Sequence, residues 1–194
     1  MNLQQEIDQL TKVLNNGELI LYPTQTIWSL GCDASNEEAV QKLLQLKNRS
    51  PKKGLIVLLD DLTALKKYTS YIPPKASNLI QYYTRPLTII YDNVKTEYFA
   101  ASVFAPDGSV AIRITQNTFC KALIEAFGKP IVSTSANFTG EAYPKSFAQI
   151  TPRLKSAVSY IADYGRRETS KIAPSTIVRI DGNELVFLRK NEEN

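Results

Sequence analysis

The sequence predicts an α/β or α+β fold, a single domain over residues 1–194 with helices flanking one twisted sheet of mixed parallel and antiparallel strands. Amphipathic helical segments alternate with short apolar strands, a hairpin turn joins the last two strands, and no shift in composition marks a domain boundary. With 194 residues and a hydrophobic fraction of 43%, the chain can bury a core without disulfides.

The first half of the chain predicts helices and short strands in alternation. Its first helix carries apolar residues at positions 3, 7, 10 and 14 and stops at Asn15-Asn16-Gly17. A strand follows at 19–22, and Ser35 with Glu38 has the spacing of a capping box that opens a second helix, which Pro51 ends. The remaining predicted elements are a strand at 55–59, helices near 62–68 and 75–83, and a β-branched strand at 87–91.

The second half predicts strands around one well-delimited helix. A strand at 110–114 precedes a helix at 118–127 that Asn117 caps and Gly128 ends, and a strand begins at Pro130, which resembles a βαβ passage. A turn at 146–150, a strand at 157–162 and a hairpin of 177–180 with 185–188 complete the prediction. Because ligands gather beyond the carboxyl ends of strands in such sheets, we expect residues 133–137 to border a cleft there.

Composition excludes several classes of chemistry. The chain has no histidine, which excludes imidazole bases, Ser-His and Cys-His pairs and histidine metal sites. Cys32 and Cys120 lack metal-ligand spacing and are expected to be free thiols in a reducing cytosol. Neither the Walker A pattern nor Gly-x-Gly-x-x-Gly is present, so a bound nucleotide would be held in another way.

The chain has the character of a soluble cytoplasmic protein. Its N-terminus lacks the basic and apolar regions of a signal peptide, and the apolar run at 55–59 is far shorter than the ~20 residues that cross a bilayer. The net charge of +4 and the sequence pI of about 9.0 leave open an anion-binding cleft or an RNA-binding face.

Three apolar runs meet clusters of small hydroxyl residues, at 19–26, 131–137 and 173–178. Short donors and exposed N–H groups at such positions can hold phosphate or carboxylate oxygens. A cation accompanies each cluster: Lys47 and Arg49 follow the first, Arg113 precedes the second, and Arg189 follows the third. We therefore expect an anionic ligand.

Five ordered motifs carry a more specific signal, and the set resembles the YrdC-like family over about residues 3 to 190. They are the segment Gly17 to Asp33, Lys47-x-Arg49, Val110-Ala111-Ile112-Arg113, Ser135-Ala136-Asn137-Phe138-Thr139-Gly140 and Pro174-Ser175-Thr176.

The resemblance implies a threonylcarbamoyl-AMP synthase with a concave, basic cleft. Such enzymes convert L-threonine, bicarbonate and ATP into the adenylate and pyrophosphate for the threonylcarbamoyladenosine modification of tRNA. ATP would bring Mg²⁺, with no protein side chain as metal ligand. Implied partners are downstream tRNA-modification proteins and tRNA or double-stranded RNA, with no membrane. Since charge builds up on phosphate, cationic groups matter more than a general base.

The resemblance also assigns residues to the two substrates. Lys47 and Arg49 would be catalytic through the ATP phosphates. The implied ATP-binding residues are Lys47, Arg49, Lys53, Ser109, Asn137 and Arg189, and the implied threonine-binding residues are Thr26, Arg113, Ser135 and Ser175. Bland alternatives stay open: a solvated helix end for Lys47 and Arg49, a turn cap for Thr26, and a structural ion pair for Arg113.

The chain departs from the family pattern at several positions near these motifs. Gln25, Trp28 and Ser29 replace the common Glu, Tyr and Gly, and Leu58 replaces a frequent histidine. Two other functions therefore stay open: a YrdC-like paralogue that binds RNA without synthesis, and carbamoyl transfer through an adenylate, as in hydrogenase-maturation relatives. Exposed tyrosines such as Tyr82 would serve the former by stacking on bases.

Overall fold

Helices flank a single mixed sheet, as the sequence predicts. The computed structural model describes residues 2–50, 54–167, 173–182 and 184–190. Within these ranges the strands are β1 (Ile20–Pro23), β2 (Trp28–Asp33), β3 (Ile56–Leu59), β4 (Leu87–Tyr91), β5 (Val110–Ile114), β6 (Ile131–Ser135), β7 (Tyr160–Ile161), β8 (Thr176–Asp181) and β9 (Glu184–Arg189). The α-helices are α1 (Leu3–Asn15), α2 (Glu37–Lys47), α3 (Leu62–Tyr68), α4 (Pro74–Tyr82), α5 (Thr118–Phe127) and α6 (Pro152–Lys155). The strand order is β7-β1-β2-β6-β3-β5-β4-β8-β9.

Helix α1 follows the predicted apolar periodicity. Asn2 accepts a hydrogen bond from the main-chain N–H of Gln5 at 2.9 Å, and the Gln5 side chain returns one to the Asn2 N–H, which completes a capping box. Ile7, Leu10 and Leu14 are buried, and the helix packs against α5, β1 and β2. The predicted stop is confirmed at Asn16 and Gly17.

The capping box predicted for α2 is wrong. Asn36 is the N-cap and accepts a hydrogen bond from the Ala39 N–H at 3.1 Å, whereas the Ser35 hydroxyl donates to Asp33 Oδ1 at 2.6 Å. The upstream carboxylate thus engages the serine, and the amide one position later caps the helix. The helix ends at Lys47 with Asn48 in the left-handed conformation, before Pro51, which lies outside the described residues.

Helix α5 confirms the prediction at both ends. Asn117 accepts from the Cys120 N–H at 2.9 Å, and Gly128 closes the helix at φ +73°.

The βαβ interpretation of β5, α5 and β6 is wrong, because the two strands run in opposite directions, with β3 between them. Strand β3 runs parallel to β5 and antiparallel to β6, so β5 and β6 oppose each other. Strand β2, for which the sequence analysis predicts no strand, pairs antiparallel with β6. Local sequence patterns do not report which distant segment inserts between two strands.

The C-terminal hairpin is confirmed, since β8 and β9 pair antiparallel with Asp181 opposite Glu184. The strand predicted at 157–162 is much shorter: only β7, of 2 residues, pairs with β1. The preceding residues form the short helix α6, which begins with Pro152 in its first turn and which the sequence analysis does not predict. In the described part of the chain, no helix has both the length and the apolarity that crossing a membrane requires.

Candidate active site

A cavity of about 360 Å³ lies on one face of the sheet. Strand register explains its floor. Ile56 of β3 is opposite Ala111 of β5 and Ser133 of β6, and Ser29 of β2 is opposite Ser135. Directly opposite residues of neighbouring strands share a face, and all five of these line the cavity. The expectation of a cleft beyond the strand ends is therefore wrong in its placement, although residues 133–135 and 137 do line the cavity.

Most of the predicted site residues come together here. Those that line the cavity are Thr26, Arg49, Ser109, Arg113, Ser135, Asn137, Ser175 and Arg189. Lys47 is not among the lining residues, and Lys53 lies outside the described residues. The structure thus brings residues from distant parts of the chain to one cavity, while their contacts with ATP and threonine stay predictions.

Arg113 places a buried cation in the cavity wall. The residue is 5% exposed. Its Nη1 donates to Thr26 Oγ1 at 3.2 Å and its Nη2 to Gln25 Oε1 at 3.3 Å, while its Nε has no hydrogen-bond partner in the described residues. No carboxylate among them forms an ion pair with it, which argues against the structural ion-pair alternative. Burial lowers the pKa of Arg113, so an incoming carboxylate would supply the missing counter-charge.

The hydroxyl groups of Thr24 and Thr26 have different hydrogen-bond partners. Thr24 serves the turn: its hydroxyl donates to the Ile27 carbonyl at 2.7 Å and accepts from the Thr26 N–H at 3.2 Å. The Thr26 hydroxyl lies 3.1 Å from that of Thr24, receives the hydrogen bond from Arg113 and belongs to a residue of the cavity wall. Thr24 thus caps the turn, and Thr26 contacts both the turn and Arg113.

Two further arginines reach the cavity from opposite ends of the chain. Arg49 lies two residues beyond α2 and donates from Nη2 to the Gly54 carbonyl at 2.9 Å. Arg189 of β9 donates from Nε to the Ser175 carbonyl at 2.8 Å and from Nη2 to the Ser175 hydroxyl at 3.2 Å. Burial lowers the pKa of both guanidinium groups. Together with Arg113, they bring three arginine side chains to the lining of the cavity, and the basic character of the cleft as a whole stays a prediction.

The hydroxyl groups of Ser175 and Ser109 are held from outside the cavity. The Ser175 hydroxyl lies 2.8 Å from that of Thr88. The Ser109 hydroxyl donates to Asp107 Oδ1 at 2.6 Å and accepts from Arg179 Nη2 at 3.0 Å. These hydrogen bonds from Ser109 and Arg179 lower the pKa of Asp107 to about 2. The orientation of both serines is thus fixed before a ligand arrives.

Lys47 lies behind the cavity wall. Its Nζ donates to the main-chain carbonyls of Ser135 and Asn137, each at 2.5 Å, and the residue is 2% exposed. Burial, followed by the charge of Arg49, lowers its pKa to about 8. It is not the solvated helix end considered as an alternative: in this structure its ammonium group holds the Ser135–Asn137 segment, and a contact with phosphate stays a prediction.

The donor set does not suit a resident divalent cation. The described lining residues include no aspartate or glutamate, and the described part of the chain contains no cluster of three or more His, Cys, Asp or Glu residues suited to a metal. Mg²⁺ prefers carboxylate and phosphate oxygens, and its arrival on ATP stays a prediction.

Two departures from the family pattern fall in the wall itself, since Ser29 and Leu58 both line the cavity. Gln25 accepts from Arg113, and Trp28 packs on Phe147 with ring centroids 4.9 Å apart. The sequence analysis missed Tyr143, an aromatic lining residue from a polar loop. Nothing in the local sequence distinguishes it from the other tyrosines.

Comparison with known proteins agrees with this geometry. The Sua5/YciO/YrdC family model, described as telomere recombination, matches residues 12–191. A relative named threonylcarbamoyl-AMP synthase from Pseudoalteromonas translucida (strain TAC 125) is 34% identical over 167 residues, 84% of this chain and 88% of the relative. A relative of the same name from Xanthomonas euvesicatoria pv. vesicatoria (strain 85-10) is 32% identical over 177 residues, 90% and 92% of the two chains.

Solved structures share the fold. P. abyssi Sua5 complexed with L-threonine superposes with a TM-score of 0.85 at 25% identity; the match covers 97% of this chain and 54% of that longer chain. E. coli YciO superposes with a TM-score of 0.84 at 23% identity over 98% and 91% of the two chains, which shows the fold alone. Because the family model covers most of the sequence and relatives above 30% identity span most of both chains, the chain belongs to the Sua5/YciO/YrdC family.

Proposed function

We propose that this protein is a threonylcarbamoyl-AMP synthase that forms the adenylate and pyrophosphate from L-threonine, bicarbonate and ATP. The observation that carries the proposal is one cavity lined by Arg49, Arg113 and Arg189 together with short hydroxyl side chains, and without a carboxylate among its described lining residues. Relatives that bear this enzyme name match most of the chain. These names do not favour the RNA-binding module as the function.

The chemistry suits a site without histidine. The amine of L-threonine would add to bicarbonate with loss of water, and the resulting carbamate oxygen would attack the α-phosphorus of ATP as the bond to pyrophosphate breaks. The reaction is thus a nucleotidyl transfer. Negative charge accumulates on phosphate oxygens, where arginine forks stabilise it. Mg²⁺ carried by ATP would neutralise further phosphate charge.

The residue roles follow from depth and charge. Arg113 and Thr26, which are 5% and 3% exposed, would hold the threonine carboxylate; Ser135 and Ser175 would face the same substrate. Arg49, Asn137, Ser109 and Arg189 would hold the nucleotide. Product would pass to tRNA-modifying proteins in the cytoplasm, where ATP and tRNA are available; the buried free thiols of Cys32 and Cys120 suit that reducing compartment.

One assay tests the proposal. The protein is incubated with ATP, Mg²⁺, bicarbonate and L-threonine, and pyrophosphate and the threonylcarbamoyl adenylate are measured, the latter by mass spectrometry. Product must require all four components and must fall strongly in Arg113→Met. Absence of product from folded wild-type protein overturns the proposal. Salt-sensitive RNA retention in its place would indicate the binding module, and adenylate formed from carbamoyl phosphate would indicate carbamoyl transfer.

A further inference from the structure

The cavity has large apolar side chains at its rim and buried polar side chains in its interior. Tyr143 and Leu188 both line it and are 38% and 59% exposed, whereas Arg113 and Ser175 lie deep in the wall at 5% and 2% exposed. Ligand pockets commonly combine apolar or aromatic lining side chains with a few polar groups. The rim therefore offers contacts of a different kind from the charged interior.

Tyr143 is the one aromatic side chain among the described lining residues. Tyr68 and Tyr164 pack on other aromatic rings, with Tyr164 stacked on Phe119 at 4.7 Å. Tyr143 has no ring contact of that kind among the described residues. Its exposed ring is therefore available to a ligand in the cavity.

Arg189 connects the rim to the interior. It follows Leu188 directly in β9, it lines the same cavity as Tyr143, and its Nε and Nη2 both donate to Ser175. A ligand whose anionic part meets Arg189 would thus place an adjoining flat group beside Tyr143.

A nucleoside triphosphate has this two-part character, with a flat base at one end and a chain of anionic phosphates at the other. We propose that Tyr143, with Leu188 beside it, forms the surface on which the purine base of the nucleotide stacks. The inference rests on the proposed function and assigns part of its site. The interior arginines take the phosphates, and the Tyr143 ring takes the base, since every base presents a π-face.

Two ligands separate stacking from charge. ATP carries a base, whereas inorganic tripolyphosphate carries the phosphates alone, and calorimetry can measure the affinity of each in the absence of L-threonine. Tyr143→Ala should weaken ATP binding by about tenfold, the equivalent of about 1.4 kcal/mol of stacking, and change tripolyphosphate binding by less than about twofold. Tyr143→Phe keeps the ring and should bind ATP like wild type. Leu188→Ser should weaken the binding of ATP and leave the binding of tripolyphosphate unchanged.

Tyr82 supplies the matched control, because it is 72% exposed and does not line the cavity; Tyr82→Ala should bind both ligands like wild type. An unchanged ATP affinity in Tyr143→Ala overturns the inference, as does an equal loss for both ligands or wild-type protein that binds no ATP. Should Tyr143-dependent ATP binding occur without adenylate formation, the proposed function fails and the base site stands. If adenylate forms and Tyr143→Ala binds ATP like wild type, the proposed function stands and the base site is wrong.

Discussion

The ammonium group of Lys47 joins α2 to Asn137 on the far side of the cavity wall. Lys47 Nζ lies 2.5 Å from the Asn137 carbonyl oxygen and 3.4 Å from its Oδ1, and the Thr139 N–H donates back to the Lys47 carbonyl at 3.0 Å. A helix end and the loop after β6 are thus bonded in both directions, and Asn137 lines the cavity from a fixed position.

Lys47→Met should destabilise this segment. Methionine fills similar volume but leaves the Asn137 carbonyl without the lysine donor, while the Ser135 carbonyl keeps only the Asn137 N–H at 2.9 Å; an unsatisfied buried polar group costs about 1–3 kcal/mol. The free energy of unfolding from urea denaturation measures the loss. Lys42→Met, at a residue whose side chain is about half exposed and pairs with Glu18, is the control and should stay within about 0.5 kcal/mol of wild type. Equal stabilities of wild type and Lys47→Met would contradict this account.

Lys47 should also leave a signature in the pH dependence of stability. Burial lowers its pKa to about 8 in the folded protein, against about 10.4 in the unfolded chain. Between these values the unfolded chain keeps a proton that the folded protein has lost, so stability rises with pH. The free energy of unfolding of wild type should therefore increase relative to that of Lys47→Met from pH 8 to pH 10. If the free energies of unfolding of the two proteins change with pH in parallel, the pKa of Lys47 is not lowered in the folded protein.

Arg113→Met should separate stability from binding. The guanidinium is buried and has no carboxylate partner among the described residues, and replacing a buried charge with an apolar side chain is frequently neutral or stabilising. We expect a melting temperature at or above that of wild type, together with loss of the upward shift that the proposed binding of L-threonine should produce in wild type. Differential scanning fluorimetry measures both.

The exposed Arg153, which packs over Phe138 outside the cavity, supplies the control: Arg153→Met should keep the L-threonine shift. A retained shift in Arg113→Met would remove Arg113 from the carboxylate site.

Arg49→Ala should abolish turnover at small cost to the fold. The substitution removes the hydrogen bond to the Gly54 carbonyl, worth about 0.5–1.5 kcal/mol, whereas loss of a donor to the developing phosphate charge lowers kcat by about 10²-fold or more. Pyrophosphate release and urea denaturation measure the two effects. Arg49→Lys keeps the charge without the planar guanidinium fork, and its turnover should lie between that of wild type and that of Arg49→Ala. Normal turnover in Arg49→Ala would exclude a catalytic contact.

Gly31→Ala should destabilise the sheet beneath the cavity. A Cβ atom at this position would come within 2.6 Å of the Tyr22 ring and 2.7 Å of the Val132 carbonyl oxygen, and overpacking of this kind costs about 1–3 kcal/mol. Gly128→Ala is the comparison: its Cβ would meet open space, and only its φ of +73° is unfavourable, at about 1 kcal/mol. Chemical denaturation of both variants should therefore rank Gly31→Ala as the less stable.

Local elements could be predicted where one signal dominates. Apolar spacing in α1, the Asn117 cap and Gly128 stop of α5, and the β-branched run of β4 depend on residues within a few positions of each other, and the structure confirms them. The cap of α2 could not be predicted, because Asp33 competes for Ser35 through a contact that only the folded turn creates.

The strand order and the contacts of Lys47 could not be predicted, because both depend on residues that are far apart in the sequence. The insertion of β3 between β5 and β6 brings Ile56 into the cavity floor, and no property of either strand alone encodes its neighbour. The resemblance to the family identified Arg113 and Ser135 as site residues but did not indicate where in the fold they lie. The burial of Lys47 against main-chain carbonyls required the folded loop, which is why its position differs from that of a solvated helix end.

The distance along the chain between Thr26 and Arg113, 87 residues, has a consequence for folding. Strands β6 and β3 lie between β2 and β5 in the sheet, so we expect the hydrogen bond between Thr26 and Arg113 to form only after these strands have paired, and such non-local pairing is slow. Nucleotide and amino-acid capture would then report the completed native state rather than any collapsed intermediate. In refolding experiments, the recovery of ligand affinity should trail the recovery of helical circular dichroism.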